Sequence, residues 1–375
     1  MKRVLHVTGG MDRGGVETWL MHVLRNRDPG ELEMDFLAHR EGSAAYDDEI
    51  RSHGSKVLAT PHAAQPLRYA RDLRRILDTQ GPFDGVHSHV HYYSGYVLAL
   101  ASRAGVPVRV AHAHVAMGSA RGGPRRSPWR FAFEETMRRL IWKHATAGLA
   151  NSAASGRDLF GRRWGTDPRF ELLPYGFDFS HYAALAPHDE LKKDLGLDPA
   201  TKVVGHVGRF HPQKNHPFLI GLFRKLAERR DDVHLLLVGG RGNIDEVRRS
   251  IEAQGLTDRC TITGETFEVA PFVGAMDVMV FPSLFEGLGI VVLESQAAGV
   301  PVVASLAVPP EADVVPELVT RISLDAGEPA WIAAIAERLD GPAYPREAAT
   351  AAVMDSPYAV ERCLRGLMSV YGRVS

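Results

Sequence analysis

The sequence VGRFHPQKNH, residues 207–216, places Arg209 five positions ahead of Lys214, where an apolar run ends and a helical period begins. Two fixed cations beside a helix N-terminus make a receptor for pyrophosphate, because charge and free N–H donors act on the same anion. The plain alternative is a pair of surface basic residues; the position between strand and helix favours phosphate. A second run, PSLFEGLGIVVLESQAAGVPVVA at 282–304, carries Glu286 and Glu294 with Gly287 and Gly289 directly after the first. A helix opening near Gly289 would aim the amides of Gly289, Ile290 and Val291 at an anion. It would leave Glu286 on the preceding loop and turn Glu294 inward. A carboxylate in such apolar company needs hydrogen-bonding partners, and a ribose diol offers two. Glu294 on a solvated helix face is the plain alternative.

Two further constellations lie in the first half. GGMDRGGVE, residues 9–17, has four glycines that let backbone approach a ligand, although its spacing is not GxGxxG. It reads either as a phosphate or sugar contact or as an ordinary strand–helix turn. Histidines then concentrate at His87, His89 and His91, and again at His112 and His114. Strand alternation puts each set on one face. Metal sites use such spacing, but neither HSHVH nor HAHVA contains Asp, Glu or Cys. Hydrogen-bonded histidines at a cleft wall, able to orient sugar hydroxyls, fit better.

Short β-branched runs alternate with helical periods throughout, the pattern of parallel sheets covered by helices. Strands are expected at 4–7, 34–37, 56–58, 85–87, 108–111, 148–150 and 171–173, and, after a pause at 174–199, at 203–207, 233–238, 261–263, 278–281 and 302–304. Helices are expected between them, including 92–104, 129–144, 218–229 and 288–298, with a terminal amphipathic helix within 357–371. The fold class is therefore α/β, with two tandem Rossmann-like doubly wound domains facing a cleft. The expected domains are 1–180 and 190–355, with the terminal helix, 357–375, packed back on the first. Ligands of such sheets bind beyond the carboxyl ends of the strands, where the unusual residues fall.

At 375 residues the chain suits two domains, and its composition, 45% apolar and 24% charged, is that of an ordinary globular protein. With 44 basic and 45 acidic residues the net charge is −1, which lacks the footprint of non-specific nucleic-acid binding. Two distant cysteines, Cys260 and Cys363, are no disulfide framework. No signal-peptide core or transmembrane run is read, so a cytoplasmic location is expected.

The ordered set GGVE, a His-bearing strand end, GRFHPQKN and FEGLGIVVLE resembles the retaining GT-B-fold glycosyltransferases of family 4 over essentially the whole chain, most closely the exopolysaccharide-assembly members. That resemblance implies sugar transfer from a nucleotide diphosphate sugar, UDP being the expected carrier, to a saccharide, glycolipid or small-molecule acceptor. It implies that Arg209 and Lys214 hold the pyrophosphate, that Glu286 faces the donor sugar, and that Glu294 binds the ribose. The amides of Gly289, Ile290 and Val291 would meet the phosphates, and Gly14 and Gly15 would close over the donor. His114 is the implied active-site histidine, with His112 the alternative. Gly264 and Phe267 belong to the expected base-binding loop. The implied mechanism is a front-face displacement without a metal or other cofactor, consistent with the absence of a DxD motif and of a glycosidase-like carboxylate pair. Where the family reads PNG between domains, this chain has Pro174, Tyr175 and Gly176. The segment 117–143, with Arg121, Arg125, Arg126, Arg130, Arg138, Arg139 and Lys143 among Trp129, Phe131 and Phe133, reads as a peripheral membrane contact, an acceptor cover or a solvated helix face. Two other readings share the architecture: a nucleotide-sugar 2-epimerase and a non-catalytic nucleotide-sugar-binding subunit.

Overall fold

The computed structural model describes residues 1–115, 127–240, 242–266 and 268–373, which divide into two compact units, 1–178 with 357–373 and 179–356. The first is built on seven parallel strands: β1 Lys2–Thr8, β2 Leu32–Ala38, β3 Val57–Ala59, β4 Gly85–Ser88, β5 Val108–Ala113, β6 Ala147–Ala150 and β7 Phe170–Leu172. Their spatial order is β3-β2-β1-β4-β5-β6-β7. The second holds six: β8 Lys202–Val207, β9 Val233–Val238, β10 Cys260–Ile262, β11 Val278–Phe281, β12 Val302–Ser305 and β13 Val319–Ile322, ordered β10-β9-β8-β11-β12-β13. In both sheets the order reverses beside the first strand, between β1 and β4 and between β8 and β11. Such a reversal leaves a crevice at the strands' carboxyl ends.

The central strands are buried on both faces because helices cover each side. In β1, Val4 to Thr8 are all buried, and so is every residue of β4, β6, β11 and β12. The first core joins Leu5, Val7, Val86 and Ala111 to Val97 and Leu98 of the helix Ser94–Arg103; the second joins Val204, Leu235 and Val280 to Leu219, Phe223 and Trp331. Each Val, Leu or Phe side chain among them, fully buried, contributes roughly 1.5–3 kcal/mol. Helix starts follow local chemistry. Ser127 accepts from the Arg130 N–H, Ser152 and Ser155 form a reciprocal box, and Pro66 opens the helix Pro66–Gln80.

The chain leaves the first unit after Asp178 and re-enters it at Pro357. Phe177 anchors both crossings, its N–H donating to Tyr358 O (2.8 Å) and its carbonyl accepting from the Val360 N–H (3.1 Å). The last helix, Val360–Tyr371, packs on the helix Gly15–Asn26, where Trp19 Nε1 donates to Cys363 Sγ at 3.3 Å.

Several expected elements differ. β4 ends at Ser88, and His91 starts a 3-10 turn, His91–Tyr93, with a left-handed φ of 50°. His91 is therefore not on the strand face of His87; its ring faces Asp158 instead, at 3.4 Å. The strand β13 escaped the sequence reading because it is a four-residue edge strand, half-buried throughout and interrupted by Arg321. The expected helix at 288–298 starts later, at Ile290, because Gly289 takes a left-handed conformation (φ 81°) as its N-cap. No helix among the described residues is long and apolar enough to cross a membrane.

Candidate active site

In the second unit the loop after β8 and the loop after β11 are laced together. The Leu284 N–H donates to Gln213 O at 2.8 Å, Gln213 Nε2 to Phe285 O at 2.8 Å, and Asn215 Nδ2 to Pro282 O at 3.3 Å. Asn215, left-handed at φ 57°, turns the chain from the 3-10 segment Pro212–Lys214 into the helix His216–Ala227. That turn delivers Lys214 to Glu286, Nζ to Oε1 at 2.7 Å, with side chains only 16% and 8% exposed. The same ammonium lies 4.4 Å from the centre of the Phe281 ring. Arg209, by contrast, is exposed at the mouth of the loop.

Beneath these loops the backbone is crowded. A Cβ on Gly239 would fall 2.1 Å from Gly208 O, and one on Gly240 would fall 2.5 Å from the Glu265 N–H nitrogen. Gly264, left-handed at φ 78°, bridges back to Gly239. Glycine is thus what lets the ends of β8, β9 and β10 converge. Phe267, the expected stacking partner for a base, lies outside the described residues. Ile290 and Val291 open the helix Ile290–Ala297, and no side chain among the described residues caps it. Glu294 sits one turn further in, where desolvation pushes its carboxyl up to about 7 despite the opposing effect of the neighbouring Tyr182 hydroxyl. The unit thus assembles two cations, a paired carboxylate, a helix start and a carboxyl whose ionisation is held back by burial around adjacent strand ends. These are the groups that a phosphorylated, hydroxyl-rich ligand would engage.

The first unit assembles something different. The register of β1 and β4 sets His6 beside His87, and alternation brings His89, His112 and His114 to the same face. His6 Nδ1 lies 3.0 Å from His89 Nε2, and His89 Nδ1 lies 2.9 Å from His114 Nε2. His114 Nδ1 lies 2.7 Å from the Tyr175 hydroxyl. A separate branch runs from the Tyr371 hydroxyl to His87 Nδ1 (2.7 Å) and from His87 Nε2 to His112 Nδ1 (3.2 Å). Trp19 covers the cluster, stacked on Tyr175 with centroids 5.0 Å apart. Burial depresses all five imidazoles, His6 and His114 to about 3 and His87, His89 and His112 well below their usual range.

Two triplets, His6–His87–His89 and His89–His112–His114, hold nitrogens within 4.8 Å of one another, which is metal-ligand spacing. The His6–His89 and His89–His114 contacts already occupy both nitrogens of the shared His89, and no carboxylate or thiolate belongs to either triplet to balance a dication. His114, the expected active-site histidine, is 7% exposed and has both ring nitrogens engaged. Gly14, extended at φ −140°, caps the helix begun by Gly15; a Cβ there would strike the Glu17 carboxylate at 2.3 Å. Sequence reasoning missed Tyr175, Tyr371, Trp19 and His6 as partners of these histidines. Only Tyr175 left a signal, as the residue standing where the family pattern has Asn.

The sequence matches a family model described as glycosyl transferases group 1 over residues 187–352, and a glycosyl transferase 4-like domain over residues 14–176. It is 34% identical over 380 residues to the putative glycosyltransferase EpsF of Bacillus subtilis (strain 168), covering 99% of this chain and 96% of that protein. It is 26% identical to a GDP-mannose-dependent phosphatidylinositol monomannoside mannosyltransferase of Corynebacterium glutamicum, over 78% of this chain and 76% of the relative. Among solved structures, Anabaena HepE in complex with UDP and glucose superposes with a TM-score of 0.76 at 20% identity, covering 98% of this chain and 99% of that one.

Proposed function

The chain belongs to the group 1 glycosyltransferases, with the two Rossmann-like units of the GT-B fold, and from that premise we propose that it moves a sugar from a nucleotide diphosphate donor, UDP-linked, to a saccharide, glycolipid or small-molecule acceptor with retention of configuration. Membership makes it a transferase, which sets the epimerase reading aside. The observation that carries the donor site is the Lys214–Glu286 pair, held by interlaced loops beside exposed Arg209 and the uncapped helix start. Lys214, Arg209 and the amides of Ile290 and Val291 stabilise the charge that grows on the departing diphosphate. Gly289 supplies the turn that exposes those amides. Glu286 accepts from a donor-sugar hydroxyl, and Glu294 from the ribose. We assign Gly264 to the base side, and Gly14, Gly15 and His114 to the sugar side.

A front-face displacement suits these residues. Glu286 is already committed to Lys214 and is a poor candidate for a covalent nucleophile, so a donor phosphate oxygen is left to take the acceptor's proton. The cations do the work that a divalent ion would otherwise do, and the reaction is proposed to need neither metal nor cofactor. HepE, whose structure contains UDP and glucose, shares the fold and lends support to a UDP carrier; the GDP-mannose-dependent relative makes GDP the alternative.

The test is thermal unfolding with UDP, GDP and ADP, for the parent chain and for Lys214→Ala. A ligand at a hundred times its Kd stabilises by about 2.7 kcal/mol. A rise with UDP alone that vanishes in the variant is expected. Since Lys214→Ala also strands Glu286, the ligand-induced rise and not the starting Tm is the readout. Equal rises in both proteins would refute the pyrophosphate assignment.

A second reading concerns the acceptor side. The opening turns of the helix Pro128–His144 expose Trp129 (86%), Phe131 (61%) and Phe133 (46%) beside Arg130, which pairs with Glu134 at 3.0 Å. We propose that this end docks on an anionic lipid surface, consistent with a lipid-linked acceptor. Arg121, Arg125 and Arg126 lie outside the described residues. Trp129→Ser with Phe131→Ser should cut co-sedimentation with phosphatidylglycerol vesicles several-fold; unchanged binding would refute it.

A further inference from the structure

The histidines of the first unit form a sequence of contacts whose proton order can be counted. A neutral imidazole has one donor and one acceptor nitrogen, so each contact along Tyr175–His114–His89–His6 fixes the next. The Tyr175 hydroxyl settles the direction: among the described residues the geometry gives it a hydrogen-bond contact with His114 Nδ1 alone, since the Asn151 amide donates to His114 O at 3.0 Å and Asn151 Oδ1 accepts from Ser155 Oγ at 2.7 Å. Tyr175 is then left to donate to His114 Nδ1. His114 must donate from Nε2 to His89 Nδ1, and His89 from Nε2 to His6 Nδ1, which leaves His6 Nε2 as a buried terminus without a partner. The reverse order strands the Tyr175 proton as well as His6 Nε2. Each stranded buried group is costly, so the first order is preferred roughly tenfold or more.

We propose that Tyr175, His89 and His6 lock His114 into a single neutral tautomer through this unbroken chain, which makes them positioning residues for the glycosyl-transfer site. The proposal rests on the assignment of His114 to the sugar side of that site. Its value to the chemistry is that a histidine free to titrate would change charge near neutral pH. Held in the chain, His114 stays an uncharged group of fixed orientation. The titratable groups facing it are His89, His112, His91 and Tyr175, and Glu17 faces Tyr175. The chain ends blindly at His6, so it orients the ring and does not conduct protons to solvent. The branch Tyr371–His87–His112 shares no hydrogen bond with it and serves as an internal control.

The experiment is NMR of the full chain with ring-15N-labelled histidine, from pH 5.5 to 8, for the parent and for Tyr175→Phe. In the parent, His114, His89 and His6 should each show one Nε2–H tautomer that does not titrate. In Tyr175→Phe all three should lose that tautomer preference, while His87 and His112 keep theirs. The variant should also acquire an acid limb in kcat/KM between pH 5.5 and 7 that the parent lacks, whereas a mere packing role would lower kcat at every pH. If Tyr175→Phe melts without cooperativity, His89→Phe cuts the same chain in its middle and should mix the His6 tautomers. A change confined to His114 would overturn the proposal. So would stoichiometric zinc in the purified protein, with imidazole shifts that collapse on chelation. The NMR needs no donor, so failure of the transferase assay with every sugar would leave the tautomer result standing and count only against the functional reading.

Discussion

In the second unit, Lys214 and Glu286 meet as opposite charges 2.7 Å apart on loops that leave Arg209 in solvent. In the first unit, five histidines pack without a charged partner in their hydrogen-bonded chains, and two aromatic hydroxyls close those chains. One region keeps charge available at a surface where a diphosphate would arrive. The other removes charge by burial and spends its polar atoms on one another. The contrast follows from position on the sheet. Loops beyond β8 and β11 are free to carry ions into water, whereas side chains pointing from β1, β4 and β5 are roofed by Trp19 and the helix Val360–Tyr371.

Acid separates the two regions by the largest margin. In the unfolded chain a histidine takes up its proton near 6.5, while the folded values of His6 and His114 are about 3 and those of His87, His89 and His112 lie well below normal. The unfolded state therefore binds more protons below 6.5; His6 and His114 each remove about 1.4 kcal/mol of stability per pH unit as pH falls from 6.5 towards 3, and His87, His89 and His112 act in the same direction. Together the five should open β1, β4 and β5 in mild acid. Hydrogen exchange read by mass spectrometry at pH 7.5 and 5.2, corrected for intrinsic rate, should show protection lost in these strands and retained in β8 and β11. Uniform protection at both pH values would break the comparison.

The charged region is more sensitive in activity than in fold. Lys214→Ala should lower kcat/KM for the donor by 10²–10³-fold, the scale of removing one group that stabilises developing charge. It should also lower the Tm, since a mostly buried Glu286 loses its partner. Arg209→Ala should cost comparable activity at an unchanged Tm, because its side chain is exposed. If both variants melt like the parent, the pair is not holding the loops.

These two outcomes also mark what the sequence could reveal. Arg209, Lys214, Glu286 and Glu294 were legible because ions at strand–helix junctions have few structural uses, and the junctions themselves follow from hydrophobic period. Both sheets were legible for the same reason, apart from short edge pieces such as β13. The histidine chain was not. His87 and His89 announce a face, but which neighbours they meet depends on the register of β1 against β4 and on a helix returning from residue 360. His91 broke the pattern through a single left-handed residue, and no spacing rule anticipates that. Tyr175 was visible as a departure from the family motif, yet its partner was fixed only by three-dimensional packing.

Glu294 sharpens the comparison from inside the charged region, because it is the acidic side chain there that behaves like the buried histidines. Its carboxyl, raised to about 7, is stabilised in its neutral form by burial. In the unfolded chain it ionises near 4.5, so the cost of holding it charged appears as pH rises from 4.5 through 7 and is absent below. Glu294→Gln should therefore raise the Tm of the ligand-free protein by a few degrees at pH 8 and leave it unchanged at pH 4.5. The same substitution should weaken nucleotide binding about tenfold at pH 8, since an amide accepts from a ribose diol less strongly than a carboxylate. Calorimetric titration of UDP into parent and variant reads the second effect, and differential scanning fluorimetry the first. A stabilised variant that binds as tightly as the parent would remove Glu294 from the ribose site and leave it a strained residue of the core.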